Sequence, residues 1–440
     1  MEVVLASSSA NGGISCWDLL TGTEQLLHKS CASSPHGLTC IGQSLIASSQ
    51  YSPPSSASGS ICYWSWDRPQ VEVKSFPAEP IGPLVANSEG SYLLGGGVSG
   101  EIYLWEVATG KLLMRWRAHH RSVTCLAFSD DDSIIVSGAE HGEVRVWSLY
   151  GIFEDALKRD QTHLYMHSLN DHSKKITDIV VGYGGQNAIF VTASEDKTCK
   201  VWSLSHGILL RSILFPSMIN AIALDPGEHV FYAGCQDGKI YVAALHAESR
   251  SGGAYGMYIV SALSLNSVAV TSLAYSTEQN LLISGSEDGT IQAWDPQGHS
   301  IRSFKHTTAH LNNVIIMRKH QLDIQSQISY KKRWLPPSLE RYTSSNNDEG
   351  DARTIINLRD IPGESYQVSY ISSDVTRRQL IELEQLGTAT AKEVKLERLK
   401  IDLEKSMEYN IKWKQMYGNL QEFCINEILD MDLPDPATNT

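Results

Sequence analysis

The chain has 440 residues, 42% of them hydrophobic and 19% charged, and a formal net charge of −13. Such a composition fits a soluble globular protein with a mildly acidic surface, and it excludes a broad, sequence-independent grip on nucleic acid, which needs a basic field. The eight cysteines, at 16, 31, 40, 62, 125, 199, 235 and 424, contain no C-x-x-C pair. Zinc ligation by thiolates therefore has no spacing support, and the thiols are expected reduced, as small core residues.

The N-terminal MEVVLASSSANGG has no basic segment leading into a long apolar one, and no stretch of about 18 apolar residues follows. A cytosolic or nuclear protein is expected. From here to about residue 320 one unit recurs: a turn residue, alternating apolar positions, and tryptophan five residues on. Seven copies end at Trp17, Trp64, Trp105, Trp147, Trp202, Ala243 and Trp294, separated by 47, 41, 42, 55, 41 and 51 residues. A spacing near 40–45 is that of one four-stranded propeller blade.

Each copy follows a run such as SIIVSGAEHG, AIFVTASEDK, HVFYAGCQDG or LLISGSEDG. Period-2 alternation with a tight turn makes each of these a hairpin. Further apolar strands at 123–129, 176–181, 219–224 and 270–276 supply inner strands.

The N-terminal EVVLASS and GGISCW read as the second and third strands of a blade that lacks its other two. The missing pair is expected after Trp294, as SIRSFK at 300–305 and NNVIIMRK at 312–319, with His310 in the repeat-histidine position beside Asn11 and Trp17. Both chain ends would then build one blade and close the ring, leaving no exposed sheet edge.

This pattern resembles the WD-repeat family over about three quarters of the chain, and the resemblance implies an all-β, seven-bladed propeller. It also implies a buried set of histidine, hydroxyl, aspartate and tryptophan in each complete blade. His172, Thr192 or Ser194, Asp196 and Trp202 match one complete set, which would give the buried indole N–H its partner. Other blades depart from it: His141 and Ser99 stand in the turn position and Ala243 replaces a tryptophan, so these blades are expected to be less rigidly held.

Beyond the propeller (1–320), residues 321–373 read as an extended linker or strap, with Pro336-Pro337 and a polar run at 343–351, anchored by Trp334, Leu335 and Leu339. Lys331, Lys332 and Arg333 read as a solvated loop cluster ahead of a nuclear-import or RNA contact. Residues 374–432 read as a helical arm with Asp374 as N-cap, followed by a tail at 433–440. Leu396, Leu399, Leu403, Trp413, Tyr417 and Leu420 lie on an imperfect 3,4 seam that Ser406 and Asn410 interrupt. So much apolar surface calls for a partner helix or a second copy, ahead of packing back onto the propeller.

No catalytic residues, cofactor or metal are expected. GGGVSG at 95–100 matches the phosphate-loop pattern formally, but Gly100 opens a strand where that pattern needs a helix. His119-His120, and His167 with His172, have no further ligands recurring nearby in sequence. Neither a G-x-S-x-G elbow, an H-E-x-x-H pair nor a P-loop is present. An enzyme would need convergent acids and histidines in the central channel.

The incomplete repeats, the KRWLPPSLE strap and the terminal IKWKQMYGNLQEF together resemble the WD-repeat subunit of the complex that matures the large-ribosomal-subunit precursor, of the plant root-initiation-defective type. This resemblance implies a non-catalytic scaffold of the nucleus, in nucleolus and nucleoplasm. Its implied work is internal-spacer rRNA processing and recruitment of an AAA-type remodelling ATPase, among protein subunits of a pre-ribosomal complex, with indirect RNA contact and no membrane. It also implies homodimerisation through the C-terminal helix. The alternatives are a substrate receptor of a cullin-type ubiquitin ligase and another signalling scaffold. The receptor's W-D-x-R signature is broken at Leu20, Pro69 and Gln297.

Overall fold

Short alternating strands bury one face only by stacking sheet against sheet. In the computed structural model, 28 strands among the described residues do so as seven four-stranded antiparallel sheets, the blades of a propeller. The structure describes residues 2–9, 12–29, 31–42, 45–50, 59–158, 165–245, 259–264, 268–295, 298–306, 310–318 and 335–342. Blade 1 orders its strands Leu311–Arg318, Glu2–Ser8, Ile14–Asp18 and Glu24–His28 from inside outwards, and blades 2 to 7 span 33–75, 81–117, 123–169, 176–214, 219–264 and 270–305.

The seven expected tryptophan positions all fall in the third strand of their blade, and the inner strands Val123–Phe128, Ile176–Val181, Ile219–Leu224 and Val270–Ser276 lie where alternation puts them. The 55-residue interval between Trp147 and Trp202 accommodates a helix, Leu149–Lys158, which the repeat pattern does not announce.

The core is a series of blade-to-blade seams. Between blades 4 and 5, Val136, Val146, Ile176, Phe190 and Trp202 form one buried cluster. In blade 6, where Ala243 leaves space, Phe215 packs edge-on against Phe231 and Tyr241 at 6.3 and 5.9 Å between ring centroids. Carboxylates in the turns between first and second strands, and Glu2 at the start of the second strand of blade 1, latch blade to blade. Asp132 accepts from Ser88 N at 3.1 Å, Asp130 from Gly185 N at 2.7 Å, Glu228 from Tyr183 N at 2.5 Å, and Glu2 from Ser276.

Closure differs in one respect from expectation. Leu311–Arg318 pairs antiparallel with Glu2–Ser8, bringing Val4 opposite Ile316 and Ala6 opposite Val314. The C-terminal side gives blade 1 this single strand: Ser300–Lys305 is the outer strand of blade 7, and Glu24–His28 supplies the outer strand of blade 1. The polar start of Glu24–His28 hid a strand whose outer edge faces solvent.

Within the first 18 residues, Val3, Val4, Leu5, Ile14 and Trp17 are all buried. At roughly 1.5–3 kcal/mol each they account for as much as the whole net stability of a typical domain, about 5–15 kcal/mol. Deleting residues 1–18 is therefore expected to leave aggregated chain with no cooperative melt by circular dichroism. A monomer melting at the wild-type temperature would refute closure by both ends.

Candidate functional site

Polar networks run through the blade interiors. In blade 5, His172 lies 2.9 Å from Asp196 Oδ2 through Nδ1 and 2.8 Å from Thr192 Oγ1 through Nε2, while Trp202 Nε1 donates to Thr192 Oγ1 at 3.0 Å. Thr192 is the hydroxyl of the set. Ser194 has a different task, donating to Lys174 O at 3.2 Å and accepting from Asp196 N. Burial pushes the Asp196 carboxyl up, but the bonds from His172 and Thr198 outweigh it and hold the group well below the usual carboxylate range.

In each blade the hydroxyl position pairs across the ladder with the residue two before the tryptophan, as Thr192 does with Lys200. Ser137 in blade 4 and Ser284 in blade 7 fill the same register, and each accepts its indole N–H at 2.8 Å. Blade 3 has Gly95 there, and blade 2 has Ser48, whose hydroxyl is engaged with Ser33 and Cys31 instead. Trp64 accordingly turns to the carbonyl of Lys29 at 3.2 Å, and Trp105 to the carbonyl of Glu340 at 3.0 Å. The indole of Trp105 lies so close over Gly95 that a Cβ there would meet it at 2.9 Å.

The expected departures acquire other partners. Ser99 donates to Glu79 through backbone and hydroxyl at 2.9 and 2.7 Å. In blade 4, Glu143 gathers His119, His141, Arg145 and Ser168. His141 and Glu143 are ligand-type neighbours of His119 that sequence spacing alone did not join. The aligned repeat register, with His141 in the place of Asp196 and Glu143 in that of Thr198, could have found them. His167 is bonded elsewhere, to Ser205 O at 3.0 Å.

His310 does not take the repeat-histidine position. Its side chain is 61% exposed, its φ is +64°, and it faces Glu287 at 3.3 Å. His306 stands beside Trp17 instead, 3% exposed with ring centroids 6.1 Å apart, and its N–H donates to Gly289 O as that of His119 does to Gly100 O. The five-residue link from Lys305 to Leu311 displaces the histidine by four positions from where direct counting sets it. Asn11 lies outside the described residues.

Residues from all seven inner strands line a central cavity of about 260 Å³. A bulge at residues 34–37 in the inner strand of blade 2 carries His36 across to blade 5, where Nε2 lies 2.8 Å from Thr177 O and Nδ1 lies 3.8 Å from Asp178 Oδ1. Asp178 accepts backbone N–H bonds from Ile179 and Ile222, both at 2.8 Å, and burial pushes its carboxyl up. These two are the titratable groups of the lining among the described residues, and both are committed to joining blades. No set of acids and histidines converges there. Burial pushes the thiols of Cys31, Cys62, Cys125, Cys199 and Cys235 up, Cys31 to about 12, away from the thiolate form a nucleophile needs.

On the rim between blades 2 and 3 lies part of the expected strap. Leu339 is buried among Val107, Leu112 and Tyr63. The backbone of 339–340 donates to Ser75 Oγ at 3.0 Å and Gly110 O at 2.8 Å, and Arg341 donates to Phe76 O at 2.8 Å. Leu335 is half-exposed and Trp334 lies outside the described residues. Outer strands of blades 5 to 7 expose Leu210, Val260 and Ile301. The arm residues Leu396, Leu399, Leu403, Trp413, Tyr417 and Leu420 also lie outside the described residues.

The WD domain, G-beta repeat model matches residues 110–148, 164–203 and 259–295. Protein ROOT INITIATION DEFECTIVE 3 of Arabidopsis thaliana is 49% identical over 97% of this chain and 98% of its own length. WD repeat-containing protein 18 of Homo sapiens is 32% identical over 68% of each chain. Pre-rRNA-processing protein IPI3 of Yarrowia lipolytica is 30% identical over 74% of this chain and 76% of its own. Among solved structures, the computationally designed Ika8 protein superposes with a TM-score of 0.51 at 27% identity, covering 70% of this chain and 85% of its own.

Replacing Thr192 by Val strands both the Trp202 indole N–H and one nitrogen of His172. The variant is expected to lose about 1–3 kcal/mol of unfolding free energy in a urea titration, with wild-type secondary structure. A loss below about 0.5 kcal/mol would show that the network does not pin the blade.

Proposed function

The chain belongs to the WD-repeat family that includes ROOT INITIATION DEFECTIVE 3, WD repeat-containing protein 18 and the pre-rRNA-processing protein IPI3, and from that premise we propose that it is a non-catalytic scaffold in ribosome biogenesis. The observation that carries this reading is similarity along nearly the entire length of the plant relative, arm included, and not the propeller alone. A ring with two faces, an apolar rim and, among the described residues, no convergent catalytic set is suited to holding several proteins at once.

In the finer form of the reading, the protein joins other subunits of a large-subunit precursor complex in the nucleolus and nucleoplasm. It supports internal-spacer rRNA processing, helps recruit an AAA-type ATPase, and touches RNA through its partners. Depletion is expected to accumulate precursor rRNA retaining internal spacer, and capture of the tagged full chain to recover large-subunit precursor proteins. Normal precursor levels with cullin-ligase components in the capture would instead support the ubiquitin-ligase receptor; the absence of W-D-x-R disfavours that outcome.

The helical arm at 374–432 is proposed to pair with that of a second copy through Leu396, Leu399, Leu403, Trp413, Tyr417 and Leu420. Light scattering on the full chain and on a chain ending at residue 373 tests this. A dimer that becomes a monomer on truncation is expected, and a monomeric full chain would end the homodimer reading.

A further inference from the structure

Blade 4 brings a second imidazole into its repeat network. In blade 5 a single histidine, His172, is held by Asp196, with Thr198 completing the turn. In blade 4 the corresponding positions are His141 and Glu143, and Glu143, one methylene longer than aspartate, reaches back to His119 and does the work of Asp196. His141 is thereby freed from that task, yet its Nε2 points at the same oxygen.

We propose that His119, His141 and Glu143 form a binding site for a divalent transition-metal cation, zinc in the first instance. Nδ1 of His119 and Nε2 of His141 lie 3.3 and 2.8 Å from Glu143 Oε2, and the three ligand atoms fall within 4.8 Å of one another. Two imidazoles and a carboxylate are a ligand set that zinc accepts, with water in the fourth position.

The surroundings supply the outer contacts that such a site needs. The far oxygen of the carboxylate, Oε1, is fixed by Arg145 Nε at 2.6 Å and Ser168 Oγ at 2.9 Å, which leaves Oε2 for the cation. Nε2 of His119 is oriented by Ser137 Oγ at 2.8 Å. Orientation of this kind is the usual second tier of a metal site. The ligands are preset by buried groups, while the side chain of His141 is 28% exposed and gives the ion its way in from solvent.

Arg145 sets a limit. Its charge cancels that of Glu143, so a bound dication is left without net compensation and affinity falls below that of a site with two carboxylates. The guanidinium is nevertheless held away from Oε2, lying 4.9 Å from the Tyr165 ring and donating to Ala118 O at 2.6 Å.

The test uses the full chain stripped with chelator, dialysed against Zn²⁺ and analysed for bound metal, beside His141→Ala and the neighbouring control His120→Ala. The wild type and His120→Ala are expected to bind one equivalent more than His141→Ala, or to bind it at least roughly tenfold tighter. Cobalt in place of zinc is expected to give the visible absorption of a low-symmetry four-coordinate ion in the wild type and not in His141→Ala. Should His141→Ala misfold, the cobalt spectrum of the wild type decides alone, and an aqueous-type spectrum overturns the site. Equal binding in wild type and His141→Ala, or no binding by the wild type, reduces the cluster to a hydrogen-bond variant of the repeat. An equal loss in His120→Ala overturns the assignment to His141.

Discussion

A buried indole N–H is costly to leave without an acceptor, and five of the blades are arranged around that constraint, although Trp116 Nε1 is buried without a partner among the described residues. The third strand of six blades carries a tryptophan at or next to its last position, because a wide ring is what fills the wedge between neighbouring blades. An indole is donor-only, and leaving it unpaired in the interior costs about as much as several well-placed contacts return. The acceptor is a hydroxyl at a fixed ladder position in blades 4, 5 and 7. In blade 3 that position holds Gly95, in blade 2 it holds Ser48, which is engaged with Ser33, and in both the main chain of another segment takes over the duty.

This substitution ties parts of the chain together that the repeat alone would leave separate. Trp64 is completed by Lys29, in the connection leaving blade 1, and Trp105 by Glu340, a strap residue 235 positions later. The strap is thus integral to the blade 2–3 seam, and Leu339 fills that seam while the carbonyl beside it satisfies the indole. On the other side of the ring, His36 reaches across the channel to Thr177 and the carboxylate latches link neighbouring turns. Cohesion here is both circumferential and transverse.

How much of this was legible follows from what sequence encodes locally. The seven third strands, the inner strands after Val123, Ile176, Ile219 and Val270, and the set around His172 could be read because alternation and spacing are short-range signals. The outer strand Glu24–His28 was missed because its first residues are exposed and carry no apolar alternation. His306 was passed over for His310 because link length, not composition, decides which histidine turns inward. The Trp105–Glu340 bond was hidden for a different reason: it joins segments with no pattern in common. Its one foreshadowing was the glycine at 95, where the register calls for a hydroxyl.

Closure of the ring also has a temporal side. The inner neighbour of Glu2–Ser8, Leu311–Arg318, is made about three hundred residues after it. At roughly 5–20 residues per second of synthesis, the N-terminal hairpin waits on the order of 15–60 s on the ribosome with one edge unpaired. An open apolar edge of that duration attracts strand-to-strand misassociation. Val3, Val4 and Leu5, which are fully buried once the ring has shut, stay without their inner partners for that interval.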